Sequence, residues 1–142
     1  ARRDLKTTML LAAVLAKKEA RRRGAEEALL VGEPGKVVHE GASSNVFIVE
    51  RGMLVTPAQS EDLLPGTMRP LVSELAREAG LDVRGEPLSL ERLAAADEIF
   101  VTSTSQLVMP VVALDERAVG KGRAGPVATD LANRLRFRFE LP

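Results

Sequence analysis

Asn45-Val46-Phe47-Ile48-Val49-Glu50 is followed by Arg51-Gly52 and then by Met53-Leu54-Val55-Thr56. Two apolar, β-branched runs joined by two turn residues read as a pair of antiparallel strands. Ala28-Leu29-Leu30-Val31, the turn Glu33-Pro34-Gly35-Lys36, and Val37-Val38 extend this pair into a meander. Helical periods surround it. Leu10, Leu11, Val14 and Leu15 predict a helix over 7–23, stopped at Gly24. Leu71, Val72, Leu75, Ala76 and Ala79 predict a second over 70–79, stopped at Gly80. Ser89 caps a short helix over 90–96, and a last one begins at Pro126 with Val127, Leu131, Leu135 and Phe139 four residues apart. Ile99-Phe100-Val101 and Met109-Pro110-Val111-Val112-Ala113-Leu114 are strands around a polar loop, and 120–125 is a loop. Paired strands mixed with helices indicate an α+β fold rather than a repeating βαβ array.

Composition narrows the function classes. A chain of 142 residues, 45% hydrophobic, fits one domain with a core of its own. Twenty basic residues balance twenty acidic ones, and aromatics are 3% with no Trp or Tyr. Such a chain lacks both the charge footprint and the stacking platforms of a nucleic-acid binder. Without cysteine there is no disulfide scaffold, thiolate nucleophile or cysteine zinc site, and the single His39 excludes a multi-histidine metal site. No run approaches the ~18 apolar residues of a membrane span, and no secretory apolar region follows the polar start Ala1-Arg2-Arg3-Asp4. A cytoplasmic setting is expected. The chain begins without Met and enters patterned sequence within a few residues, so it is expected to be one piece of a longer polypeptide.

Chemistry concentrates in one lysine and three polar loops. Of five lysines, Lys17 and Lys18 lie in a charged helical end, while Lys36 and Lys121 lie in glycine-flanked turns. Lys6 stands at the entry to an apolar helix beside Thr7 and Thr8. A lysine near an apolar wall loses its proton more easily, which suits Schiff-base chemistry, although a solvated lysine has the same local sequence. Glu40 ends a strand before Gly41-Ala42-Ser43-Ser44-Asn45, whose small residues and hydroxyls suit an anion or an ordinary turn. Leu64-Pro65-Gly66-Thr67-Met68-Arg69 leads into a helix, so its amides offer a phosphate seat or simply cap the helix. Thr102-Ser103-Thr104-Ser105 follows a strand and could supply hydroxyls to the same anion.

In this order the pieces resemble the class IV aminotransferases, the fold-type IV enzymes that use pyridoxal 5′-phosphate. The resemblance rests on Asp4-Leu5-Lys6, Glu40-Gly41-Ala42-Ser43-Ser44-Asn45-Val46-Phe47, Leu64-x-Gly66-x-x-Arg69, Ala95-Ala96-Asp97-Glu98-Ile99-Phe100, and Thr102-Ser103-Thr104 followed by Met109-Pro110-Val111. It covers nearly the whole chain. It implies the large carboxy-terminal domain of the D-amino-acid aminotransferase-like fold, with mixed, mostly antiparallel strands in a pseudobarrel flanked by helices. Lys6 would bond the cofactor covalently and move a proton between the substrate α-carbon and the cofactor C4′. Glu40 would bond the pyridine nitrogen, and Leu64 would pack against the ring face. Ser43, the Thr67 and Met68 amides beside Gly66, Ser103 and Thr104 would hold the phosphate. Asn45 and Arg69 would brace loops, and His39 would face away from Glu40.

Two departures bear on substrate. Branched-chain members commonly carry a tyrosine five residues after the lysine, where this chain has Leu11, as in D-amino-acid enzymes. Met68 stands where many members have Thr or Ser, as in some aminodeoxychorismate lyases. The resemblance implies transfer between an amino acid and a 2-oxo acid, D-amino-acid type first and branched-chain second. A lyase releasing pyruvate through the same Lys6 is the alternative, and a catalytically silent assembly domain is the non-enzyme alternative. It also implies a homodimer and an amino-terminal domain upstream of residues 1–142.

Overall fold

The computed structural model describes residues 10–32 and 37–141. Its centre is a five-stranded sheet in the order β5-β4-β3-β7-β8. These strands are β3 (Asn45–Glu50), β4 (Met53–Thr56), β5 (Asp82–Gly85), β7 (Glu98–Ser103) and β8 (Leu107–Val111). Arg51 (φ 50°) and Gly52 (φ 75°) both turn left-handed, the geometry a two-residue hairpin needs between β3 and β4. A second sheet is antiparallel: β1 (Leu29–Gly32), β2 (Val37–Gly41) and β6 (Leu88–Ser89), with β2 in the middle. A short hairpin, β9 (Ala113–Leu114) and β10 (Arg117–Ala118), stands apart.

The helices are α1 (Leu11–Arg22), α2 (Met68–Glu78), α3 (Leu90–Ala95) and α4 (Pro126–Arg138). Residues 45–49 of β3 are buried throughout, because the central sheet is covered on both faces. Phe47, Val49, Leu54, Phe100 and Val108 pack with Met68, Val72, Leu75 and Ala76 of α2 and with Ala128, Leu131 and Leu135 of α4. Val46, Ile48, Val55, Ile99 and Val101 form a second core with Val38 of β2, Leu88 of β6 and Leu93 of α3. Phe47 and Phe100, opposite each other in register, stack with ring centroids 5.1 Å apart. Among the described residues no helix is long and apolar enough to cross a membrane.

The α+β reading, the β3–β4 hairpin and the four helices are as the periodicity predicts. Ser89 caps α3 by accepting the Arg92 N–H at 3.1 Å. The differences have physical causes. Helix α2 begins at Met68 rather than Pro70, since a proline in the first turn needs no N–H donor. The periodicity does not predict β5: Val83 is its one large apolar residue, and it is a strand through parallel pairing with β4. Thr102 and Ser103 belong to β7 rather than to the polar loop. Phe139 lies past the end of α4 and is half-exposed, so the buried stripe of that helix stops at Leu135. Residues 7–9 and the turn 33–36 lie outside the described residues.

Candidate functional site

The site is assembled around Leu64. Glu40, on the central strand of the three-stranded sheet, is buried, and its Oε2 accepts the Leu64 N–H at 3.0 Å. The carbonyl of Leu64 accepts from Asn45 Nδ2 at 3.1 Å and from the Gly66 N–H at 2.8 Å. Two residues that flank the 41–44 turn therefore grip both backbone polar groups of one residue. Asn45 braces the loop, as expected. His39 neighbours Glu40 on the strand and points to the other face by the alternation of β2.

Gly66 is required by close approach, since a Cβ there would come within 2.1 Å of Asn45 Oδ1. Thr67, exposed, is the residue before α2, and it makes no side-chain cap. The Met68 side chain is buried in the core beneath α2, leaving its backbone to face the helix start. Arg69 binds the loop between β4 and α2: its Nη1 donates to Gln59 Oε1 at 2.9 Å and its Nη2 to the Pro57 carbonyl. Burial pushes the Arg69 guanidinium below its ordinary value. It is the expected loop brace.

Thr102 lies opposite Asn45 in the β3–β7 register and on the same sheet face as Phe100, two residues earlier, which packs under α2 and α4. It is 1% exposed, and its Oγ1 has no hydrogen-bond partner among the described residues. A buried hydroxyl left unpaired costs about 1–3 kcal/mol, which a ligand oxygen or water would relieve. Ser103, next in β7, accepts the Gln106 N–H at 3.2 Å, and Thr104 is exposed in the turn.

Ser43 is exposed in the turn after β2. Its Oγ accepts from Lys17 Nζ at 2.6 Å and donates to Glu27 Oε2 at 3.1 Å. That hydroxyl ties α1 to the 41–44 turn. Lys6 lies outside the described residues. Glu40, Leu64, Gly66, Thr67 and Met68 are brought together with Asn45, and Thr102 links Ser103 and Thr104 to the same end of the sheet. The sequence reading missed Glu27. The signal available was a carboxylate between a glycine helix stop and a strand, and its partners lie 16 and 17 residues away.

The family model for amino-transferase class IV matches residues 1–114. A putative branched-chain-amino-acid aminotransferase of Methanocaldococcus jannaschii is 38% identical over 132 residues, 93% of this chain and 46% of that protein. A D-alanine aminotransferase of Staphylococcus haemolyticus is 38% identical over 128 residues, covering 90% of this chain and 45% of that protein. A crystal structure of the T.th. branched-chain amino acid aminotransferase, complexed with N-(5′-phosphopyridoxyl)-L-glutamate, superposes with TM-score 0.85 at 39% identity. The match covers 89% of this chain and 43% of that one. The chain thus spans a little under half the length of the curated relatives it matches. With a family match over most of its length and relatives in the same family, the chain belongs to the class IV aminotransferases.

Proposed function

We propose that the protein containing this chain transfers an amino group between an amino acid and a 2-oxo acid with pyridoxal 5′-phosphate, and that residues 1–142 are its large cofactor-bearing domain. The observation that carries this reading is the Glu40–Leu64–Asn45 arrangement beside the uncapped start of α2, with the buried, unpartnered Thr102 hydroxyl at the same end of the sheet. A carboxylate, backbone amides at a positive helix end and hydroxyls fit, respectively, a protonated ring nitrogen and a phosphate. The bound cofactor supplies an electron sink for negative charge developing on the substrate α-carbon.

Glu40 would hold the ring-nitrogen proton, its carboxylate oriented by the Leu64 N–H. Leu64, half-buried, would pack on the ring face. The Thr67 and Met68 amides, with Ser103, Thr104 and Thr102, would receive the phosphate, and Gly66 lets the chain come close there. Ser43 is read as a brace because both its neighbours already use its hydroxyl. Lys6 would carry the cofactor and move the proton between the substrate α-carbon and the cofactor C4′, with orientation supplying much of the rate.

For substrate, the names of the relatives bring branched-chain amino acids alongside D-amino acids. Leu11 in place of a tyrosine supports the D-amino-acid reading. Met68 keeps the lyase as a runner-up, because its buried side chain offers no hydroxyl to a phosphate. A homodimer and a cytoplasmic setting belong to the same proposal. The test uses the whole protein with cofactor and measures transfer from D-alanine and from L-leucine to 2-oxoglutarate. Transfer from either supports the reading and selects the substrate. Pyruvate released from aminodeoxychorismate without an acceptor would replace it with the lyase. Failure to bind the cofactor or to turn over any of these would overturn it.

A further inference from the structure

We propose that Lys17, Ser43 and Glu27 form a clasp that positions Glu40 and couples it to helix α1; this deepens the reading above and rests on it. The turn 41–44 connects Glu40, which holds the Leu64 N–H, to Asn45, which holds the Leu64 carbonyl. Any shift of that turn moves both grips together. One carboxylate pins the turn from outside. Glu27 Oε2 accepts from Ser43 Oγ at 3.1 Å and from Ser44 Oγ at 2.9 Å, while Oε1 accepts the Ala28 N–H at 3.0 Å. Behind it, the Gly41 N–H donates to the Ser44 carbonyl at 2.7 Å, and the Ala42 N–H donates to the Ala28 carbonyl at 2.8 Å.

Lys17 closes the clasp. Its ammonium can only donate, so the 2.6 Å contact makes Ser43 Oγ the acceptor and turns the Ser43 proton toward Glu27. The bond polarity runs one way, from Lys17 through Ser43 to Glu27, and each link is charge-assisted. On α1, Glu19 bonds with Arg22 and Arg23 at the helix end, whereas Lys17 reaches another element. Ala20 is the one buried residue of α1, so Lys17 adds a directional tie to a lightly packed helix. The clasp therefore links α1, through Lys17, to Glu40, through the 41–44 turn. Lys17, Ser43 and Glu27 are positioning residues.

The test is a double-mutant cycle in the whole protein, with Lys17→Met, Ser43→Ala and both together, and Ser43→Thr as the variant that keeps the hydroxyl. The readouts are cofactor affinity, the position and pH profile of the cofactor absorption band, and hydrogen exchange over 41–45 and 64–66 without cofactor. Each single variant is expected to weaken cofactor affinity about fivefold, the scale of one net hydrogen bond. The double variant should be no worse than the poorer single one, exchange should rise severalfold in both segments, and Ser43→Thr should restore affinity. Unchanged exchange at 64–66, or a lower melting temperature with affinity and absorption band unaltered, would overturn the clasp and leave a surface bond that only stabilises. Failure of the unaltered protein to bind cofactor would instead overturn the functional reading, and the exchange data would still decide the clasp.

Discussion

Helices α2 and α4 cover the same face of the central sheet, yet their amino ends are finished differently. At α4, the buried Glu98 carboxylate accepts the Val127 and Ala128 N–H groups at 3.0 and 2.9 Å. Gly125 makes room, since a Cβ there would lie 2.0 Å from the Glu98 carboxyl carbon. At α2 the glycine is Gly66 and the group against it is Asn45, a neutral amide. One helix start has an anion built into the protein; at the other, Thr67 makes no side-chain cap. A phosphate bound at the start of α2, as proposed, would take the place that the Glu98 carboxylate fills at α4. The two ends of β3 repeat the contrast. Glu50, at the end of β3, is held by Arg92, whereas Thr102, opposite the start of β3, keeps an unpartnered hydroxyl among the described residues.

The comparison can be broken most severely at Glu40. Glu40→Gln keeps an acceptor for the Leu64 N–H and removes the charge from the ring nitrogen. Cofactor binding should survive while transamination falls roughly 10²-fold or more, about 3 kcal/mol of transition-state stabilisation. Steady-state turnover at saturating cofactor measures it.

Glu98→Ala should do the reverse. It strips two charge-assisted bonds from the start of α4, and chemical denaturation should register a loss of about 2–3 kcal/mol. Cofactor affinity of the folded protein should not change, because this end of the sheet is closed by protein groups alone.

Arg92→Ala sharpens the same point through pH. The Arg92 hydrogen bond is the largest cause holding the Glu50 carboxyl below its ordinary 4.5. A carboxylate lowered by folding stabilises above its unfolded value, and that stability is lost as pH falls through the folded value. The gap between unaltered protein and variant should be about 1 kcal/mol near pH 7, after solvent screening. It should close below about pH 4.5, as followed by denaturant midpoints across pH.

Thr102→Val is the smallest change. It swaps an unpaired hydroxyl for a methyl of similar shape, so the cofactor-free protein should melt no lower than the original. Cofactor affinity should drop severalfold, consistent with ~1 kcal/mol for one lost hydrogen bond.

Local physics made much of the fold legible. The β3–β4 hairpin follows from two apolar runs around Arg51-Gly52, and α3 from Ser89 before an apolar turn. β5 was hidden because an edge strand owes its identity to β4 rather than to its own residues. The candidate residues were legible as an ordered set through the resemblance, but their contacts were not. Glu40 and Leu64 meet across 24 positions, and no local pattern encodes that hydrogen bond. The small hydroxyl turn around Ser43 suits an anion or an ordinary turn, and only the resemblance implies a phosphate there. The Ser43 partners Glu27 and Lys17 lie 16 and 26 positions back, where composition alone describes a solvated charged helix end. Thr102 reads as part of a polar loop, and only strand pairing reveals a buried hydroxyl without a partner among the described residues.

The central claim is that this domain carries the cofactor on Lys6 with Glu40 at the far side of the ring. Borohydride reduction of the whole protein with pyridoxal 5′-phosphate, followed by peptide mapping, tests it most directly, because reduction fixes the cofactor to the lysine that holds it. The account predicts one stoichiometric pyridoxyl label, on Lys6. A label on Lys17, Lys18, Lys36 or Lys121 instead would contradict it.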